Sequence, residues 1–354
     1  MVFDSTKDPS IKMLLPRMLL LSTELRPRSI LPHVYNVSHF SFFSELQDTH
    51  WSVTMVETLF QTAIFLVSVV SNISAFTLVL HEQRLVDNKL FTLNLFLADL
   101  LFVSTIPLII TVRWTKEWRL GSTACQIAMY FICMSGSVTI ITLAAISVER
   151  LLAILRMETT PSLNLKKASG VLLLIWLLTV IAMLPVSLFS RVVTVISHEQ
   201  KEMQICTLMW PHLRGEVIWN IAFLALGFLL PAISIVISYS KILKIRKHSR
   251  ERLHGSATKS GFQACPVSKQ DYKLFRTLLI LMLSFFVMWS PIFIFTFLVL
   301  VRNLQVNIQI TSTMFFWVVT FTMTNSALNP VLYSVYQLRH SWQKLCCAKE
   351  VAAG

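Results

Sequence analysis

One carboxylate deep in an apolar run, Asp99, makes the clearest chemical demand in this sequence. An ionisable group in hydrocarbon is costly and needs partners. Asn72, Thr139, Asn325, Ser326 and Asn329 lie in three other apolar runs and can bring oxygens to it. A single carboxylate among neutral oxygens suits a hard cation, the alternative being a water-filled polar network without an ion. A second constellation is Glu149-Arg150, which ends another apolar run, with Asp271 opposite in charge at the base of a further one. An ion pair that must break before a helix swings outward is a two-state element. A third is Arg113, a cation beside an unusually aromatic set: Phe102, Trp114, Trp118, Trp210, Trp219, Phe223, Phe315, Phe316 and Trp317. An apolar pocket with one charged anchor fits an amphiphilic acid whose carboxylate a guanidinium grips through two hydrogen bonds. The alternative for Arg113 is snorkelling to the lipid interface. Ser, His and acidic residues do not converge into a reactive set, so the chain is not read as an enzyme.

The elements that must position these residues are long apolar helices. The chain has 354 residues, 55% hydrophobic and 14% charged, with a mean hydropathy of +0.65. A soluble domain carries about 25% charge. Seven apolar stretches are of helix length for crossing a bilayer, and lipid admits only helices or closed barrels. The fold class is an all-α membrane protein, with expected spans at 53–81, 88–113, 122–155, 168–190, 215–246, 272–302 and 307–334. Pro185, Pro231, Pro291 and Pro330 lie inside them and are expected to kink rather than end them. The organisation is an extracellular tail (1–52), a seven-helix transmembrane domain (53–335) and a cytoplasmic segment (336–354). Leu338, Trp342 and Leu345 share one face of that last segment, as in an amphipathic eighth helix lying on the inner leaflet.

The net charge of +13 could suggest nucleic acid, but its distribution does not. Between Lys241 and Arg276 there are ten Lys or Arg and two acids, and more basic residues follow Arg339. Loops of that kind stay cytoplasmic and touch anionic lipid, which places the N-terminus outside. Cys125 and Cys206 then both fall in outward-facing segments, where a disulfide persists. Cys133 is read as packing, Cys265 faces reducing cytosol, and Cys346-Cys347 follow the last helix where palmitoylation is common. Asn36-Val37-Ser38 is a glycosylation sequon on the outer tail.

Taken in order, Asn72, Asp99, Glu149-Arg150, Trp176, Pro231, Trp289-Ser290-Pro291 and Asn329-Pro330-Val331-Leu332-Tyr333 resemble the class A (rhodopsin-like) G-protein-coupled receptors. Leu151 stands where the family usually has Tyr, and Met288 where it usually has Cys. The resemblance implies a plasma-membrane receptor that couples to a heterotrimeric G protein and to arrestin. It implies a sodium ion at Asp99, Thr139, Asn325 and Asn329 as the only cofactor. It implies a switch built from Glu149, Arg150, Asp271, Tyr239, Trp289, Pro291, Asn329, Pro330 and Tyr333.

The family also narrows the ligand. Amine receptors carry an Asp two turns into the third helix, where this chain reads Met129-Tyr130-Phe131-Ile132-Cys133. Opsins need a Lys in the seventh helix, and 307–334 has none. The stretches Val112-Arg113-Trp114-Thr115-Lys116-Glu117-Trp118, Ser135-Gly136-Ser137-Val138-Thr139-Ile140 and Ile205-Cys206-Thr207-Leu208-Met209-Trp210-Pro211 resemble those of the long-chain fatty acid receptors. Met129 and Gly227 depart from that group's pocket residues. The resemblance implies a long-chain fatty acid ligand and coupling mainly to Gq, with Gi second. Arg113 would hold the carboxylate, with Phe102, Trp210, Trp219, Phe223, Trp289 and Phe315 around the acyl chain. The runner-up is a class A receptor for another lipid or a peptide.

Overall fold

The computed structural model describes residues 40–43, 45, 50–81, 90–155, 165–196, 202–255, 269–303, 308 and 310–331, with backbone alone at 246, 249–255, 269–278 and 281–282. Asn36, Tyr333, Cys346, Cys347 and the expected eighth helix lie outside the described residues, as does the side chain of Asp271.

Helix α1 spans Trp51–His81, α2 Leu90–Thr115, α3 Gly121–Leu155 and α4 Leu165–Phe189. Helix α5 comprises Leu213–Leu224, one π turn Ala225–Leu229, and Leu230–Gly255. Helix α6 spans Lys269–Asn303 and α7 covers 312–331. The architecture is therefore the expected seven-helix membrane bundle. Helix α5 runs past the expected end at 246 to Gly255, because Lys, Arg and Glu are good helix formers and carry the helix out of lipid into water. Helix α2 is broken at Ser104-Thr105, between Leu90–Val103 and Ile106–Thr115. Pro107 causes the break, since its ring cannot fit over the preceding turn. The Ser104 and Thr105 hydroxyls donate to the carbonyls of Leu101 and Phe102 at 2.7 and 2.8 Å, giving those acceptors partners at the break.

Helix α3 is the central post. In its apolar window 61% of residues are buried, against 22% in α4, whose Leu173, Leu177 and Leu178 face outward to lipid. It packs against α2, α4 and α5. Its sequence permits this closeness through a run of small or hydroxyl side chains, Ser135-Gly136-Ser137-Val138-Thr139, all buried. Polar pairs fix the neighbours around it. Asn94 on α2 donates to Thr142 Oγ1 on α3 at 2.8 Å and accepts from Trp176 Nε1 on α4 at 2.7 Å. Asn72 on α1 donates to the Ser326 carbonyl on α7, also at 2.8 Å. Gln61 on α1 donates to Thr320 on α7 at 2.6 Å.

The end of the bundle expected to face outward holds an element that the helical pattern did not anticipate, an antiparallel hairpin of β1 (Ser190–Ile196) and β2 (Glu202–Leu208) in register Val192 to Cys206. The Cys125–Cys206 disulfide, Cα–Cα 5.7 Å, ties β2 to α3 near its start. Trp118, fully buried, donates its backbone N–H to the Gln204 carbonyl at 2.7 Å and its indole N–H to the Gly121 carbonyl at 2.8 Å. Gly121 starts α3 with φ +82°, a conformation that favours glycine. The tail joins this roof. Glu45 accepts from the Cys206 backbone N–H at 2.9 Å and from the Ser41 hydroxyl. Burial pushes the Glu45 carboxyl above the ordinary carboxylate range, although the Ser41 and Cys206 hydrogen bonds pull it back.

The bridge is the only disulfide among the described residues, and it crosses from the roof to the bundle. Removing it with Cys125→Ser or Cys206→Ser is expected to cost about 2–5 kcal/mol. Surface labelling of intact cells should then fall several-fold for either variant, and no further for the double variant, since one bond is lost in each case.

Candidate functional site

A cavity of about 420 Å³ opens between the outer halves of α3, α5, α6 and α7 beneath that roof. Its volume lies within the range of small-molecule sites. The walls are mostly rings. Trp210 lies 5.5 Å from Trp219, Trp219 stacks on Phe223 at 4.9 Å and 11°, and Phe223 stacks on Phe293 at 5.0 Å. Phe315 on α7 meets Phe40 and Phe42 of the tail edge to face at 5.7 and 5.3 Å. The tail is thus part of the wall, a contribution its mixed polar sequence does not signal. Phe102, Trp210, Trp219, Phe223, Trp289 and Phe315 all line this space.

The floor is Trp289, two residues before Pro291 in α6. Its ring stacks on Phe102 at 5.5 Å and lies over Gly136 of α3. A Cβ at Gly136 would sit 2.8 Å from the indole Cη2 and Cζ3, closer than side chains pack. Glycine at 136 therefore gives the indole its seat. Below it, Thr322 of α7 donates to the Met288 carbonyl of α6 at 3.0 Å, bridging the kinked region.

Arg113 is not among the residues that line the cavity. Its Nε donates to Glu57 Oε2 at 2.9 Å, its Nη2 donates to the same oxygen, and its guanidinium carbon stands 5.0 Å from the Phe316 centroid. Arg113 and Glu57 are 4% and 1% exposed. The sequence leads to the expectation that Arg113 presents its charge to a carboxylate ligand; in this structure Glu57, an acid on α1, holds the guanidinium. Among the described residues, the cation lining the cavity is instead Arg302, in the last turn of α6, and the acid is Glu216 on α5.

Deeper in the bundle, Asp99 is fully buried and accepts from Ser326 Oγ at 3.1 Å and from Asn329 Nδ2 at 2.8 Å. Thr139 Oγ1, Asn325 Oδ1 and Asn329 Oδ1 are buried without hydrogen-bond partners among the described residues. One carboxylate with several uncommitted oxygens is a donor set that fits a hard monovalent cation. At the inner end, Glu149 approaches Arg150 Nε at 3.9 Å, with the Glu149 side chain 5% and that of Arg150 28% exposed. Tyr239 is buried on α5, and Pro330 follows Asn329 near the end of the described part of α7.

Two outcomes follow from these contacts. Arg113→Ala strands the Glu57 carboxylate in the interior, which typically costs about 3–5 kcal/mol, whereas removing both charges together is far milder. Cell-surface expression should fall sharply for Arg113→Ala and recover in Arg113→Met/Glu57→Gln. If Arg113 served the ligand instead, the single variant would reach the surface normally. Gly136→Ala overpacks the indole seat at about 1–3 kcal/mol. Its thermal stability should drop and be largely restored by Trp289→Phe, which withdraws the offending ring atoms; strict additivity of the two changes would contradict the contact.

Comparison with known proteins agrees with this layout. The pattern of the 7 transmembrane receptor (rhodopsin family) matches residues 71–333. The chain is 46% identical over 315 residues to Free fatty acid receptor 4 of Mus musculus, covering 88% of this chain and 87% of that protein. With the Rattus norvegicus protein of the same name it is 46% identical over 319 residues, covering 89% and 88%. Galanin receptor type 1 of Rattus norvegicus is 29% identical over 255 residues, covering 70% and 67%. The chain is accordingly a receptor rather than an enzyme, and it belongs to the rhodopsin family of seven-transmembrane receptors, with Free fatty acid receptor 4 as a near relative.

Proposed function

We propose that this receptor is activated by long-chain free fatty acids at the plasma membrane, N-terminus outside, and signals mainly through Gq, with Gi second, and through arrestin. The observation that carries the reading is the cavity itself: a nearly continuous aromatic wall, with Arg302 among its lining residues. Such a wall gives an acyl chain large apolar contact without demanding hydrogen bonds from it, and a cation would orient the carboxylate. The 46% identity to Free fatty acid receptor 4 supports the same ligand class.

Binding would act through the floor. An acyl chain pressed on Trp289 would bias the indole between its seat on Gly136 and a displaced position, and α6 would pivot at Pro291, two residues further along the helix. A ligand shifts the equilibrium only by its differential affinity for the two states. At the inner end, Arg150 would leave Glu149 and the acid at Asp271 and turn to the G protein, with Tyr239, Asn329, Pro330 and Tyr333 carrying the rearrangement. A sodium ion held by Asp99, Thr139, Asn325 and Asn329 would favour the resting arrangement by supplying positive charge to the buried carboxylate. Glycosylation at Asn36 and palmitoylation at Cys346 and Cys347 complete the proposal.

The test is a ligand panel on cells expressing the chain, with G-protein dissociation as readout. Long-chain acids should activate at concentrations where short-chain acids, galanin-type peptides and somatostatin-type peptides are silent. A peptide response without a fatty acid response would overturn the ligand class while leaving the receptor family intact.

A further inference from the structure

We propose that Arg302 recognises the ligand carboxylate and that Arg113 is a structural residue. The inference deepens the fatty acid reading and rests on it. Three observations carry it. First, Arg302 is the only Lys or Arg among the described residues that line the cavity. Second, Arg113 is absent from that lining and is held in a buried ion pair with Glu57. Third, the Arg302 end of the cavity is built. The guanidinium carbon stands 5.6 Å from the centroid of Phe40, and the Phe40 carbonyl accepts a hydrogen bond from Thr207 Oγ1 at 2.8 Å, which fixes that residue against β2.

Geometry then sets the direction of the ligand. Trp289 and Arg302 lie on one helix, and thirteen positions at 1.5 Å per residue separate them by about 20 Å. A long acyl chain can reach from the charge at the roof to the indole at the floor, and a short one cannot. Chain-length selectivity is thereby a ruler along α6, with Arg302 as its zero. Glu216, the acidic residue of the wall, stands at the same end and accepts from Asn303 Nδ2 at 2.7 Å. It repels an incoming carboxylate, so it opposes Arg302 and sets how strongly the site prefers acids over neutral amphiphiles.

The experiment compares a long-chain fatty acid with its methyl ester on cells expressing the full chain at matched surface density. Wild type, Arg302→Gln, Arg302→Lys, Glu216→Gln and Arg113→Met/Glu57→Gln are measured by G-protein dissociation. Loss of a charge-assisted hydrogen bond predicts that Arg302→Gln lowers acid potency about ten- to hundred-fold and leaves ester potency within about two-fold. Arg302→Lys should restore most of the acid preference, Glu216→Gln should raise it, and the Arg113/Glu57 double variant should retain it. An acid-over-ester preference that survives Arg302→Gln overturns the assignment, as does equal loss for acid and ester, which marks a structural role. Loss of preference in the double variant alone returns the anchor to Arg113. Silence of the wild type to every acid instead overturns the ligand class, and the assignment falls with it.

Discussion

Lipid offers no hydrogen bonds, so charged and amide side chains within the spans are best satisfied by partners on neighbouring helices. This constraint organises the bundle. Lipid tails are as apolar as leucine, so apolar burial alone does not tell two spans how to face each other. The partners do. Glu57 and Arg113 align the outer turns of α1 and α2. Asn94 joins α2 to α3 and α4, and Gln61 with Asn72 joins α1 to α7. Mispairing any of them would leave a charge or an amide unsatisfied in hydrocarbon, which costs more than any one apolar contact gives.

The same constraint explains what can be read in one dimension. The spans were legible because a bilayer permits so few structures, and apolar run length nearly determines them. The aromatic wall was legible because rings such as Trp219 and Phe223 fall within the outer halves of recognisable spans. The ion pair was not. Glu57 sits near the start of an apolar run, and which way it faces depends on the rotation of α1 against α2, a quantity absent from the linear pattern. Arg302 was equally silent, since a cation in the last turn of a span usually snorkels. The signal for the break in α2 was present in Pro107 beside two hydroxyl residues. The hairpin was hidden because the β-branched run Val192, Val193, Thr194 and Val195 abuts a long apolar helix and blurs into it.

Roof and cavity form one construction. The disulfide holds β2 to α3, Glu45 holds the tail to β2, and Phe40 and Phe42 bring the tail against Phe315 on α7. The tail segment therefore links a covalently fixed part of the outer surface to the last helix of the bundle. A buried carboxyl whose charged form is disfavoured ties that linkage to its environment. Docking is strongest when Glu45 is protonated, fully present below the ordinary carboxylate range, and weakens as pH rises through its raised value.

The π turn at Ala225–Leu229 resets the angular phase of α5. Nineteen steps separate Phe223 from Ile242, and at about 100° per step an unbroken helix would aim them about 100° apart. The π turn accommodates one extra residue without advancing the helix, so the effective count falls by one and brings the two onto one line. Phe223 then faces the cavity while Ile242, and Tyr239 close beside it, face the interior of the inner half. The two ends of α5 thus address the cavity wall and the buried inner half of the bundle from a single stripe, through one residue's worth of rotational slack.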